Sequence, residues 1–585
     1  MTKKLFISIL LLLLCAFSAF AHNNEYVEGE VIVVIDDSYS SAKSALAFSA
    51  YSEELNSMAL SFAESVGLVS LGTFPEISRV SGGNMVHLKS ETKSTEELLQ
   101  ELIDNPNVKS IQPNYIRRPF IASKAMVGDR EFSDSSENAI YPNDPLFEEL
   151  WGMMNIGMPQ VWEYNTGSDN VCVAVIDTGI DYNHEDLRDN MARDSLGNYG
   201  RRFTLGTQSD NPMDTFWHGT HVAGIIGAVG NNGVGVAGVN WRVKLLAVNV
   251  MPRGDAIDTD IIAGISYVLA EKKAGLNIRV ANMSFGGWSI PGQHPEYLPL
   301  GRAIKSLSDA GILCVMAVSN EGQNISNPVG IFAGKLVYPA CFKFANTISV
   351  GSINSLDGRT SNSDYSSAWV NIAAPGEKIY STILNNRYGT SAGTSMSAPH
   401  VAGAAAILCA AYPNETAGEI KERLLRGARS VESNQSFWES GLLDVARAYG
   451  VESESEQDAL LESVSITGEN SVFVGDISGL SHTKFPLNTN GYFEYLWESS
   501  DESIALIEGA NNPSAEIKGI SNGSVTITLS VTQTLQNGTK TTKSDSVDIS
   551  VNKRSSSGSS WGCNSGLFTI ALLLVLSFLK RVTGN

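Results

Sequence analysis

An open α/β fold built on a parallel sheet is predicted for the middle of this chain, from three observations. Between residues 141 and 450 the stretches VCVAVID, VKLLAVNV, IRVANMS, ILCVMAVSN and NTISVGS are unbroken apolar runs, not alternating ones. Strands buried on both faces of a parallel sheet read this way. Between them lie TDIIAGISYVLAEKKAG and LGRAIKSLSDAG, both helical in composition, and alternating strands and helices give a parallel sheet covered by helices. The pattern changes on either side of this stretch, as expected for a chain of 585 residues, too long for one domain.

The N-terminal residues carry a targeting pattern. Lys3 and Lys4 precede an apolar run from Leu5 to Phe20, and Ala19-Phe20-Ala21 is an A-x-A site, so residues 1–21 are expected to be a cleaved signal peptide. The alternative is an N-terminal membrane anchor. Residues 26–119 form a small α/β unit: EVIVVI is a strand, SALAFSAYSEELNSMALSFAESVG a helix and NMVHL a strand. STEELLQELIDN opens with a capping box, Ser94 to Glu97, and is stopped by Asn105-Pro106 before the strand VKSIQPNYI. Strand, helix, strand, helix, strand is most of a split-βαβ, ferredoxin-like unit. The polar residues 120–140 are a linker, open to proteolysis.

Beyond the α/β domain, the acidic stretch VESESEQDALLE links to residues 463–552, which lose the helical period. Short strands such as FEYLWESS, SIALIEG and SVTITLSV between Gly, Asn and Ser turns predict an all-β sandwich. Residues 558–585 return to Ser and Gly, then Cys563, an apolar run from Leu567 to Leu579 and Lys580-Arg581.

A net charge of −21 argues against a nucleic-acid partner bound through a basic face. Export permits disulfides, yet Cys172, Cys314, Cys341 and Cys409 are scattered without metal-ligand spacing. Buried thiols acting as small hydrophobes are the plainer expectation; the expected pair, if one bridge forms, is Cys314 with Cys341.

Three stretches carry chemistry. VIDTGID puts Asp177 at the end of a buried strand; HGTHVAG and GTSMSAPHVAG put His218 and Ser395 at the mouths of helices of small residues. A serine hydroxyl needs a base to take its proton, and the base needs a carboxylate to fix its tautomer. A helix N-terminus adds free N–H groups and a favourable dipole for a developing oxyanion. Pro399 is expected in the first helical turn, where its missing N–H costs nothing, and Gly393 leaves room for a substrate backbone. Singly, Asp177 reads as a turn residue, His218 as a core histidine and Ser395 as a helix cap; jointly those readings need three coincidences.

AVIDTGID, HGTHVAG and GTSMSAPHVAG match, in the family's order, the three signatures of the subtilisin-like serine proteases, and residues 141–450 resemble that family's catalytic domain. The resemblance implies a secreted serine endopeptidase acting on proteins or peptides, with Ser395 as nucleophile, His218 as base and Asp177 orienting it. His221 and His400 belong to the motifs but not to the triad. Asn320, in VMAVSNEG, matches the side-chain oxyanion donor, although Ser319 stands where the family usually has Gly. NMSFGG resembles the strand that pairs with substrate, giving Ser284, Phe285 and Gly286 backbone roles, with Ala317 and Ser319 at the specificity pocket. GAVGNNGVGVAGV resembles the family's calcium loop, implying Ca²⁺ held by Asp186 with Asn231 or Asn232; the alternative is an ion-free turn.

Residues 26–119 resemble the family's inhibitor-type prodomain, implying an intramolecular inhibitor and a maturation cut between about Pro119 and Pro142. Residues 463–552 resemble a bacterial Ig-like repeat, either a binder of a surface or polymer or a spacer. The tail resembles a C-terminal sorting signal read by envelope machinery, or is a membrane anchor; either implies a bacterial protein that is secreted or held at the outer envelope. Two other classes compete. A catalytically dead binding module would lack triad residues or Asn320, and all four are present. A zinc hydrolase fails because HGTH lacks the H-E-x-x-H pattern.

Overall fold

The computed structural model describes residues 25–36, 48–122, 139–290, 297–431, 437–451, 463–468, 470–485, 492–508, 510, 515–534 and 540–553. The expected signal peptide, most of the 120–140 linker and the C-terminal tail with Cys563 lie outside them. The chain divides into two compact units, residues 1–455 and 456–585.

In the first unit, strands β1 (Tyr26–Ile35), β2 (Val69–Thr73), β3 (Asn84–Lys89) and β4 (Val108–Pro119) form an antiparallel sheet in the order β4-β1-β3-β2. Strand β2 and the helix Pro75–Ser81 were not legible, because VSLGT is half exposed and lacks an apolar run. The helix Thr95–Leu102 starts at Ser94 with the expected capping box, each partner filling the other's orphan N–H. EVIVVI is unbroken because the sheet is covered twice. Val31, Val33 and Ile35 face the unit's own core, with Ala59, Phe62, Leu98 and Leu102. Ile32 and Val34 on the other face join the core of the following α/β domain, with Phe74, Ile77 and Met85.

That domain is built on a nine-stranded sheet. Its strands are β5 (Gly167–Asp177), β6 (Gly200–Thr204), β7 (Thr207–Ser209), β8 (Arg242–Asn249), β10 (Ile278–Met283), β12 (Leu313–Ala317), β14 (Thr347–Ile353), β15 (Ile372–Pro375) and β18 (Gly441–Leu442). The order is β18-β15-β14-β12-β10-β5-β8-β6-β7, parallel except for the β6–β7 hairpin. All five expected runs are parallel strands of it. Short strands β9 (Ala256–Ile257), β11 (Phe285–Ser289) and β13 (Leu336–Tyr338) lie apart from it, as does the hairpin β16 (Ile379–Ile383) and β17 (Arg387–Ser391). The helix Thr394–Ala411 packs along β5, β10, β12 and β14 and is buried from Thr394 to Cys409.

Strand β4 belongs to two sheets. Its first half pairs with β1. Its last four residues run antiparallel between two strands of the α/β domain: Ile116 and Arg117 pair with Ile257 and Ala256, and Arg118 and Pro119 with Gly286 and Phe285.

Two expectations are corrected. Cys314 and Cys341 are free buried thiols, like Cys172 and Cys409, and burial pushes the Cys341 thiol up to about 12. Pro399 is not in the first turn, since the helix already begins at Thr394. Its missing N–H would have met the carbonyl of Ser395. That carbonyl accepts instead from Ser284 Oγ at 2.8 Å, and Asn282 Nδ2 donates to the same hydroxyl at 3.0 Å.

In the second unit two four-stranded sheets form: β19 (Ser463–Gly468), β21 (Ile477–Phe485), β24 (Ala515–Gly519) and β23 (Ala505–Glu508) in one, β20 (Ser471–Phe473), β26 (Lys540–Asn552), β25 (Gly523–Thr534) and β22 (Tyr492–Ser499) in the other. From Val525 to its end, strand β25 alternates between buried and half-exposed residues. Trp497, Ile517, Ile527 and Leu529 share its core.

Candidate active site

Every residue of the expected triad sits where a parallel sheet ends. Asp177 is the last residue of β5, His218 the first of the helix His218–Gly227, and Ser395 the second of the helix Thr394–Ala411. All three are fully buried. Asp177 Oδ1 accepts from His218 Nδ1 at 2.7 Å and from the Thr178 N–H at 2.7 Å. A carboxylate can only accept, so Nδ1 carries the proton and the Nε2 lone pair is left as a base.

Asp214, which sequence reading missed, fastens the two elements together. Oδ1 accepts from Thr178 Oγ1 at 3.0 Å, while Oδ2 accepts from the Thr220 N–H at 3.0 Å and Thr220 Oγ1 at 2.7 Å. Its signal was an aspartate four residues before HGT, too common to single out. The other motif histidines are core groups. Burial pushes His221 down to about 3 and His400 down to about 4, so both are neutral, and His400 Nδ1 pairs with the Met396 carbonyl at 2.8 Å.

Ser395 is turned away from the base. Its Oγ donates to the Ser284 carbonyl at 2.7 Å and accepts from the Phe120 N–H at 2.8 Å, and His218 Nε2 has no hydrogen-bond partner. The reason is the end of β4. The Phe120 carbonyl accepts from the Ser395 N–H at 3.4 Å, and the Ala122 N–H donates to Ala392 O at 2.8 Å. A methyl group added to Gly393, whose φ is +130°, would lie 2.3 Å from the Phe120 oxygen and 2.5 Å from Asn320 Nδ2. The glycine therefore lets the chain and the Asn320 amide approach one point.

Asn320 Oδ1 accepts from the Thr394 N–H at 3.0 Å, which fixes the carboxamide and leaves Nδ2 buried without a partner. Such an orphan donor marks a place for an oxygen that is not yet charged. Ser319 has φ +102°, in the left-handed region that favours glycine, so its departure from the family pattern keeps the glycine backbone. Ala317 ends β12, two residues earlier. Phe285 and Gly286 pair with Pro119 and Arg118 through their backbones.

A second constellation gathers oxygens. Asp186 Oδ1 accepts from Asn232 Nδ2 at 2.9 Å and Oδ2 from the Val236 N–H at 2.9 Å. Asp144, another residue missed because YPNDP reads as a plain turn, accepts from the Asn231 N–H at 2.6 Å. Asn231 Oδ1 in turn accepts from the Asn143 N–H at 3.1 Å. Burial above all, with the neighbouring Asp144 charge adding to it, pushes the Asp186 carboxyl up to about 7, so the pair wants a compensating charge. Two carboxylates and an amide carbonyl suit a hard cation, but Asn232 turns its Nδ2 to Asp186 and its Oδ1 accepts from the Val234 N–H at 2.7 Å, so that side chain faces the carboxylate as a donor. Among the described residues no cluster of three His, Cys, Asp or Glu forms.

The sequence model of the subtilase family matches residues 168–451. A thermophilic serine proteinase of Bacillus sp. strain AK1 is 29% identical over 422 residues, 72% of this chain and 86% of that protein. Thermitase of Thermoactinomyces vulgaris is 32% identical over 309 residues, 52% of this chain and 98% of that protein. Subtilisin amylosacchariticus of Bacillus subtilis subsp. amylosacchariticus is 36% identical over 300 residues, 51% of this chain and 70% of that protein.

Proposed function

Because this chain belongs to the subtilase family of serine endopeptidases, we propose that it is an exported enzyme made as a self-inhibited precursor, cutting peptide bonds through Asp177, His218 and Ser395. The carrying observation is the Phe120 carbonyl, lodged between the Ser395 N–H and the Gly393–Asn320 corner. Residues 116–119 occupy the cleft as a substrate strand would, and the bond between Phe120 and Ile121 is the one presented to Ser395.

The steps follow from the atoms. Ser395 Oγ swings from the Ser284 carbonyl to His218 Nε2, a side-chain rotation, and gives up its proton there. Oγ attacks the carbonyl carbon, and the charge passing to oxygen is met by Asn320 Nδ2 and the Ser395 N–H. His218, held by Asp177, returns the proton to the leaving amine. Water then hydrolyses the acyl-enzyme by the same route. The N-terminal unit serves as the intramolecular inhibitor. Edman sequencing of the mature enzyme is expected to begin at Ile121; a first residue upstream of 100 would contradict the prodomain reading.

A structural Ca²⁺ would be held by the carboxylates of Asp144 and Asp186 and the amide carbonyl of Asn231, with Asn232 turning its amide over to add a fourth oxygen. Chelation is expected to lower the melting temperature of an inactive precursor by several degrees, on the order of 2–4 °C per kcal/mol lost, and added Ca²⁺ should restore it. A melt indifferent to both would remove the ion. Residues 1–21 direct export, residues 463–552 act as an Ig-like binding or spacing domain, and the tail after Cys563 is a sorting signal. Intact mass of the exported protein tests the last point, since a species still ending at Asn585 is an anchor.

A further inference from the structure

Arg117 is a whole charge buried in the cleft. Its side chain is 3% exposed and that of its partner Asp258 0%. Nε donates to Asp258 Oδ1 at 2.8 Å and Nη2 to Oδ2 at 3.0 Å, the two-point match of guanidinium to carboxylate. Nη1 donates to the Gly287 carbonyl at 3.2 Å and to Ser289 Oγ at 2.9 Å. All four acceptor atoms belong to the protease domain. Asp258 follows β9 on one side of the inserted strand, and Gly287 and Ser289 lie in β11 on the other. Asp258 is also the first residue of the 16-residue helix Asp258–Lys273, whose dipole favours a carboxylate there.

Arg117 stands three residues before Phe120, so it is the fourth residue back from the bond facing Ser395. Building on the proposed reading of the cleft, we infer that the mature enzyme selects substrates with arginine at the fourth position upstream of the cut, read by Asp258 and Ser289. The physical reason is a penalty on other residues. An apolar side chain laid over Asp258 strips water from its carboxylate and offers nothing in return, which leaves a charge buried and unpaired. Lysine brings the charge without the planar fork, so it is the weaker match. Gln112 Nε2 also donates to Asp258 Oδ2, at 2.7 Å, but it belongs to the N-terminal unit and leaves with it.

The test is a peptide series Xaa-Ala-Pro-Phe with a chromogenic amide after Phe, given to the mature enzyme with Xaa as Arg, Lys, Leu, Ala or Glu. Arginine is expected to exceed leucine by roughly 10- to 100-fold in kcat/KM, with lysine between them. In Asp258→Asn that ratio should collapse to about one. Asp258 also seats the N-terminal unit, so the variant could fail to mature; Ser289→Ala then serves, with a ratio a few-fold lower. A wild-type ratio of one or less overturns the inference, as does Asp258→Asn with the wild-type ratio. An enzyme that cuts the series without preference at this position refutes the inference alone. An enzyme that cuts none of the peptides refutes the reading of the cleft as well.

Discussion

Ser395→Ala is expected to lower peptidase activity by about 10⁶-fold, the size found for subtilisin's own nucleophile in this family, and to leave the Phe120–Ile121 bond whole. The hydroxyl now sits between the Ser284 carbonyl and the Phe120 N–H. Its removal costs the buried Phe120 N–H one acceptor, while the backbone pairs of residues 116–119 remain. The variant should therefore fold and accumulate as an uncut, inhibitor-filled precursor, seen as a single full-length band on denaturing gels. Phosphonate or sulfonyl fluoride reagents should label Ser395 in the wild-type mature enzyme and nothing in the variant. Purified Ser395→Ala that still hydrolysed casein at the wild-type rate would end the assignment.

Asn320→Leu should lower kcat by about 10²–10³-fold with little change in KM, again the size found for the matching side chain of subtilisin. The split follows from where Nδ2 points. It has no partner until an oxygen acquires charge, so it stabilises the transition state more than bound substrate. The substitution also removes Oδ1, leaving the buried Thr394 N–H unpaired at the head of the Ser395 helix. A melting curve separates that structural cost from the catalytic one. Steady-state kinetics showing an unchanged kcat would exclude the role.

Long buried strands and strand-end residues were legible because parallel sheets write continuous apolar runs, and chemistry in such folds sits at strand ends. Asp177 was readable for that reason, Ser284 and Asn320 through the motifs NMSFGG and VMAVSNEG. Asp144, Asp214 and Asp258 were not. Each is a short acid outside the long apolar runs, and only the fold brings it to a distant partner, 36 residues away for Asp214 and Thr178, 87 for Asp144 and Asn231 and 141 for Asp258 and Arg117. The position of Pro399 was misread because its compensation lies across the sheet, in the Ser284 hydroxyl. Strand β2 escaped because half-exposed residues carry no period strong enough to see.

If the chain is made as the proposed self-inhibited precursor, the doubly covered sheet of the N-terminal unit gives its activation a direction in time. While the unit is docked, Ile32, Val34, Ile77 and Met85 lie in the protease's own core. Cutting after Phe120 breaks one covalent bond and none of those contacts, so the severed piece should linger. Once it does leave, it carries a bare apolar face on a domain of fewer than a hundred residues, a size at which losing one side of the core leaves little to hold the fold. On that reading the departed piece should become a loose chain and therefore a substrate for the enzyme it had been blocking. The first molecule to shed its inhibitor should then destroy that inhibitor and others like it, and a population of precursors should show a lag followed by a self-accelerating burst rather than a steady rise.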